Sequence, residues 1–148
     1  MYMENPSVLL LCLTISLLWI SVAFILGFSD RTPVDYGLAG LLVATIFSSY
    51  WFWSCPQRNS LAHCVDAFIA KLCIGSFIAY TLFVKDELVE LKLLYGIVLA
   101  YIVLSFWFSN RESQQRWCSP DHIWSHAFLH FWCFVATFFS VRELTVKP

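Results

Sequence analysis

Five apolar stretches of about twenty residues each, separated by short polar turns, leave this chain few ways to fold. They cover residues 7–28, 34–53, 61–84, 88–108 and 122–141. A helix rising about 1.5 Å per residue needs roughly 20 residues to cross the hydrocarbon of a bilayer. Inside that hydrocarbon no water satisfies backbone N–H and C=O groups, so a spanning segment must bond to itself. Composition agrees. Of 148 residues, 59% are hydrophobic and only 13% charged, against about 25% charged in soluble domains. A soluble chain of this length has too little interior to hide that much apolar surface. The expected fold is all-α: a polytopic transmembrane helix bundle of about five helices, making one transmembrane domain over residues 1–148.

The turns are marked by polar residues and prolines. Ser29-Asp30-Arg31-Thr32-Pro33 ends the first run, and Cys55-Pro56-Gln57-Arg58-Asn59 ends the second. Lys85-Asp86-Glu87 follows the third, and a polar segment over 109–121 follows the fourth. Tyr50-Trp51-Phe52-Trp53 is an aromatic cluster of the kind that favours the membrane interface. Glu4, with no Lys or Arg before the first run, argues for a retained helix over a signal peptide. The fourth run, with Glu90 and Lys92, is the weakest span, and a four-helix alternative would lay it in the interface. Short turns predict that consecutive helices are antiparallel and adjacent.

A net charge of −1 and the lack of a basic patch exclude nucleic acid as a partner. Membrane lipids are the expected partners. With five crossings, Arg58, Arg111 and Arg116 fall on the N-terminal side, and Arg31, Lys85, Lys92, Arg142 and Lys147 on the other. That bias predicts a cytosolic C-terminus and leaves the membrane itself open. Cys12, Cys73 and Cys133 lie in apolar runs as small hydrophobes. Cys55, Cys64 and Cys118 lie near turns as thiols, ligands or disulfide partners, and a Cys55–Cys118 bridge stays open.

Topology gathers the polar residues. The second helix ends, and the third and fifth begin, on the N-terminal side. Ser48, Ser49, His63, Cys64 and Asp66 therefore share a membrane face with His122, His126 and His130. The three late histidines, spaced i, i+4, i+8, form one stripe on a helix. A His pair at i, i+4 can grip a metal ion, and zinc usually takes three or four ligands. His126 and His130 are the candidate metal ligands, with His63 as a third. Asp66 is a candidate to orient a histidine or act as general base, and Ser49 to steady an oxyanion. Each has a plainer account: interfacial histidines bond neighbouring helices, and serines pack membrane helices. Lys71 falls near mid-membrane, where it snorkels or lines a polar cavity.

His126-Ala-Phe-Leu-His130, followed by Phe131-Trp132, resembles the late His-x-x-x-His motif of the CREST superfamily of membrane hydrolases. That superfamily includes alkaline ceramidases, progestin and adiponectin receptors and hemolysin III-type proteins. Asp66 resembles the family's Asp at the start of a helix, and Ser49 stands where its Ser-x-x-x-His begins. The resemblance covers about 48–66 and 121–132. It departs at Trp53, which holds the place of a metal-binding histidine, and in having five helices where the family has seven. The resemblance implies a zinc-dependent hydrolase of lipid amide or ester bonds. His126 and His130 would be ligands, Asp66 would orient or deprotonate the bound water, and Ser49 would steady the oxyanion. Loss of a ligand at Trp53 would instead imply a non-catalytic relative. Two other classes remain: a structural or accessory subunit of a larger membrane complex, and a haem carrier with His63 opposite the late histidines.

Overall fold

The structure, a computed structural model, describes residues 6–29, 31–85 and 89–141. Five helices follow in order: α1 Pro6–Phe28, α2 Pro33–Ser54, α3 Leu61–Ala79, α4 Val89–Gln115 and α5 Pro120–Val141. A π-helical turn, Tyr80–Val84, continues α3. No strand occurs among the described residues. All five helices are long and apolar enough to cross a membrane, including the fourth. Large apolar side chains such as Phe47, Phe68, Phe83 and Val103 face outward, as a lipid-solvated bundle allows. The chain has the make-up of a multi-pass integral membrane protein.

One helix end differs from expectation. The apolar run of α4 stops near residue 108, but the helix continues to Gln115. Polar side chains end a membrane span without ending a helix, because Arg, Glu and Gln are good helix formers in water.

The three described turns share one device. Arg31, Asn59 and Cys118 adopt left-handed φ of 57°, 61° and 56°. Each directly precedes a hydroxyl residue that caps the next helix: Thr32, Ser60 and Ser119. The cap oxygen accepts the backbone N–H of the residue three positions on, at 3.2 Å in each case, from Asp35, His63 and His122. That third residue then reaches back. Asp35 Oδ2 accepts the Thr32 N–H at 2.9 Å, completing a capping box. His63 Nδ1 accepts the Asn59 N–H at 3.1 Å, and His122 Nδ1 the Cys118 N–H at 3.2 Å. Two of the four histidines are thus parts of helix caps. Across the bundle, the Tyr80 hydroxyl donates to Asp35 Oδ1 at 3.0 Å and ties α3 to the start of α2.

Packing is an open arc. α4 packs most extensively on α5, α5 and α2 on α1, and α3 on α2. α3 touches α5 lightly, and α3 and α4, although consecutive, barely meet. Short turns permit adjacency without enforcing it. The main core, around Leu11, Ile15, Ile46, Trp53 and Ile123, joins α1, α2 and α5, and a smaller one around Tyr95 and Ile102 joins α4 to α5.

All six cysteines are free thiols, which leaves Cys55 and Cys118 unbridged. Burial pushes the Cys118 thiol above the usual range. Less of it is thiolate at a given pH, and the thiolate is the nucleophile. A water-soluble maleimide is therefore expected to label exposed Cys55 rapidly near neutral pH and Cys118 slowly, with Cys118 catching up as pH rises. Single-cysteine variants followed by mass spectrometry check this, and equal rates at neutral pH would count against the half-buried position of Cys118.

Candidate functional site

Between α2, α3, α4 and α5 lies a cavity of about 220 Å³. Ser49, His63, Asp66, His122, His126 and His130 all line it. Candidate residues from three helices, α2, α3 and α5, thus share one space. Because α3 and α4 both line the cavity yet barely meet, it runs along the seam between them. Apolar side chains such as Phe77, Leu99 and Ile102 line its deeper part.

Asp66, one and a half turns into α3, is buried and faces α2. Its Oδ1 accepts from Ser49 Oγ at 2.6 Å and from Ser48 Oγ at 3.1 Å. Ser48 also reaches the Thr45 carbonyl at 3.0 Å, so its one proton is shared. Asp66 Oδ2 has no hydrogen-bond partner among the described residues. The two serines thus fix the carboxyl group and leave one oxygen available.

The histidines divide by what their Nδ1 atoms meet. The Thr14 hydroxyl reaches the Leu11 carbonyl at 3.0 Å and lies 3.1 Å from His130 Nδ1, so it holds that nitrogen from α1. His126 Nδ1 lies 3.0 Å from Ser109 Oγ, which can donate or accept. The rings of His126 and His130 are 4.8 Å apart. His63 and His122 are the reverse case. Each accepts a backbone N–H at Nδ1, so the neutral ring carries its proton on Nε2. A metal-bound imidazole commonly donates its second nitrogen's N–H to an acceptor; the hydroxyls at His126 and His130 can serve as that acceptor, and the backbone N–H at His63 cannot.

Zinc needs a third protein ligand beyond two imidazoles. Among the described residues no group of three or more His, Cys, Asp or Glu is placed to hold one metal ion. His126 and His130 stand together, and His63 stands apart as a cap stacked on Phe52 at 5.0 Å. The place beside His126 belongs to Trp53, whose ring lies 5.0 Å from that of His126 and 5.9 Å from that of His122. The residues present do not make a ready zinc site.

Trp53 is 1% exposed, and its Nε1 is a buried donor with no hydrogen-bond partner among the described residues. Leaving a buried donor unsatisfied costs about 1–3 kcal/mol. Trp117, from the α4–α5 turn, closes this end of the cavity. It packs near His63 and His122, donates to the Pro56 carbonyl at 3.1 Å and lies under Arg58. Lys71 lines the cavity from α3 without an ion-pair partner among the described residues.

Sequence reasoning missed Thr14 and Ser109, the residues that orient His130 and His126. Nothing distinguishes Thr14 from other small residues in an apolar run. Ser109 is the first polar residue after the α4 span, and its depth opposite the start of α5 was a usable signal. Comparison with protein-family models, with curated proteins and with solved structures returns no match.

Proposed function

We propose that this is a lipid-binding membrane protein laid out on the CREST plan, which holds an acyl lipid in the α3–α4 seam without hydrolysing it. The chain of the lipid lies along the apolar part of the cavity. Its amide, ester or acid head meets Ser49, Asp66, Trp53 and the histidines. The observation that carries this reading is the concentration of Asp66, four histidines and Trp53, whose indole N–H has no partner among the described residues, around one cavity. Polar groups there are costly and mark a pathway or site. Trp53 argues against hydrolysis, because an indole offers a proton where the hydrolase pattern calls for a lone pair.

A second reading, a zinc-dependent hydrolase of lipid amides or esters, is favoured by one observation: His126 and His130 stand 4.8 Å apart with Nδ1 of each held by a hydroxyl, which leaves both Nε2 atoms for a metal. The accessory-subunit reading has no comparable support. The test purifies the untagged protein in mild detergent, identifies co-purifying lipids by mass spectrometry and measures zinc per chain, for the natural sequence and for His126→Ala/His130→Ala. A bound acyl lipid with zinc well below one per chain supports binding alone. One zinc per chain, lost in the double variant, would replace this reading with the hydrolase. We further propose a cytosolic C-terminus, on the charge bias noted above. The maleimide experiment repeated on sealed vesicles tests it, since Cys55 should then label only from the non-cytosolic side.

A further inference from the structure

We propose that the Trp53 indole N–H binds the acyl oxygen of the lipid, a carbonyl or carboxylate oxygen, at the place where a hydrolase of this plan would carry a metal ligand. The inference rests on the lipid-binding reading and adds the contact that selects the ligand. Trp53 Nε1 is the one buried side-chain nitrogen or oxygen without a partner among the described residues. Its ring forms part of the cavity wall together with Ser49, Asp66 and His126. An indole nitrogen can donate and cannot accept, so only an acceptor satisfies it. The neighbours add to the bias. His63 and His122 accept at Nδ1 and so present Nε2–H. At the polar end these N–H donors stand with His126, His130 and Asp66, whose Oδ2 has no partner among the described residues. An acyl oxygen satisfies the indole donor, which an alkane or an ammonium head cannot do.

The test labels the seven tryptophans with ¹⁵N at the indole, in phosphatidylcholine nanodiscs, and identifies the Trp53 resonance by its loss in Trp53→Phe. Oleic acid, N-oleoylethanolamine and octadecane are titrated in turn. A photoactivatable acyl probe reports occupancy of the cavity by its displacement. The Trp53 indole proton is expected to move downfield with the amide, the acid or both, and not with octadecane. A shift with the acid alone assigns a free carboxylate, and a shift with both assigns the shared acyl oxygen. Trp53→Phe, which keeps an aromatic ring in place, is expected to weaken the acyl ligands roughly tenfold, as one lost hydrogen bond does, and to leave octadecane unchanged. A static Trp53 resonance while acyl ligands displace the probe would overturn the inference and leave the lipid reading standing. If none of the ligands displaces the probe, the lipid-binding reading falls and takes this inference with it.

Discussion

Asp66→Asn is expected to leave the protein at least as stable as the natural sequence and to weaken binding of an acyl amide roughly 30- to 100-fold. The two effects have different origins. Stability depends on Oδ1, which accepts from Ser49 and Ser48. An asparagine carbonyl oxygen accepts both bonds as well, and a neutral amide costs less to bury in an apolar bundle than a carboxylate. A gain of about 1 kcal/mol is the expected size, by analogy with other buried charges replaced by neutral groups. Binding depends on Oδ2, the oxygen with no protein partner. An acyl amide carries an N–H beside its carbonyl, so Asp66 Oδ2 can accept from one end of the group while Trp53 donates to the other. Asparagine puts an NH2 there and turns the acceptor into a donor facing a donor. A charge-assisted hydrogen bond lost is worth about 1.5–3 kcal/mol, or about 10- to 150-fold, and the stated factor is the middle of that range. Thermal unfolding in nanodiscs and displacement of the acyl probe measure the two separately. A stable variant with unchanged binding would mean that Oδ2 carries a proton and already donates. A variant that unfolds early would make Asp66 a structural tie between α2 and α3.

How far the sequence carried the argument is clearest at the histidines. Helices were legible because a bilayer imposes one length and one hydrogen-bonding solution, and each apolar run matches a helix with ends displaced by few residues except at α4. There the polar face over 109–115 looked like a turn, because hydropathy reports where the membrane ends and not where the helix does. Depth was legible too, so Ser49, Asp66, His63, His126 and His130 were expected at one level and do line one cavity. What hydropathy and spacing could not separate was the role of each imidazole. His63 and His122 look like members of a ligand set, yet Ser60-x-x-His63 and Ser119-x-x-His122 are capping patterns in which histidine stands where Glu or Gln is usual. The partners of His126 and His130 come from α4 and α1, and side-chain pairs between distant helices leave no periodic trace. The gap between α3 and α4 was likewise invisible, since the turn joining them allows contact but does not require it.

Trp53→His is expected to turn a site that lacks a third ligand into one that binds zinc, with affinity raised roughly 100-fold or more. The geometry is already close. The Trp53 ring lies 5.0 Å from that of His126, and His126 lies 4.8 Å from His130, so a third imidazole at this position joins a pair whose outer member is held at Nδ1 by Thr14. The substitution also completes Ser49-x-x-x-His at the end of α2. Even residues that only orient a ligand are worth about 10- to 100-fold in metal affinity, and a ligand in the first coordination shell should exceed that. The cost is packing: Trp53 is 1% exposed within the main core, and the smaller imidazole leaves space worth about 2–3 kcal/mol of stability, less than the loss for truncation to alanine. Zinc should recover that loss, because an ion that binds only the folded state stabilises it in proportion to the logarithm of its concentration. The expected record is a lower unfolding midpoint than the natural protein in chelator and a steep rise with added zinc, with about one zinc per chain retained after desalting. Hydrolysis of lipid amides or esters by the zinc-loaded variant, absent in the natural sequence, would show that Trp53 alone separates this chain from a hydrolase. Failure of a folded variant to take up zinc would show that His126 and His130 are not aligned for a metal, and would leave their hydrogen bonds to Ser109 and Thr14 as their reason for being buried.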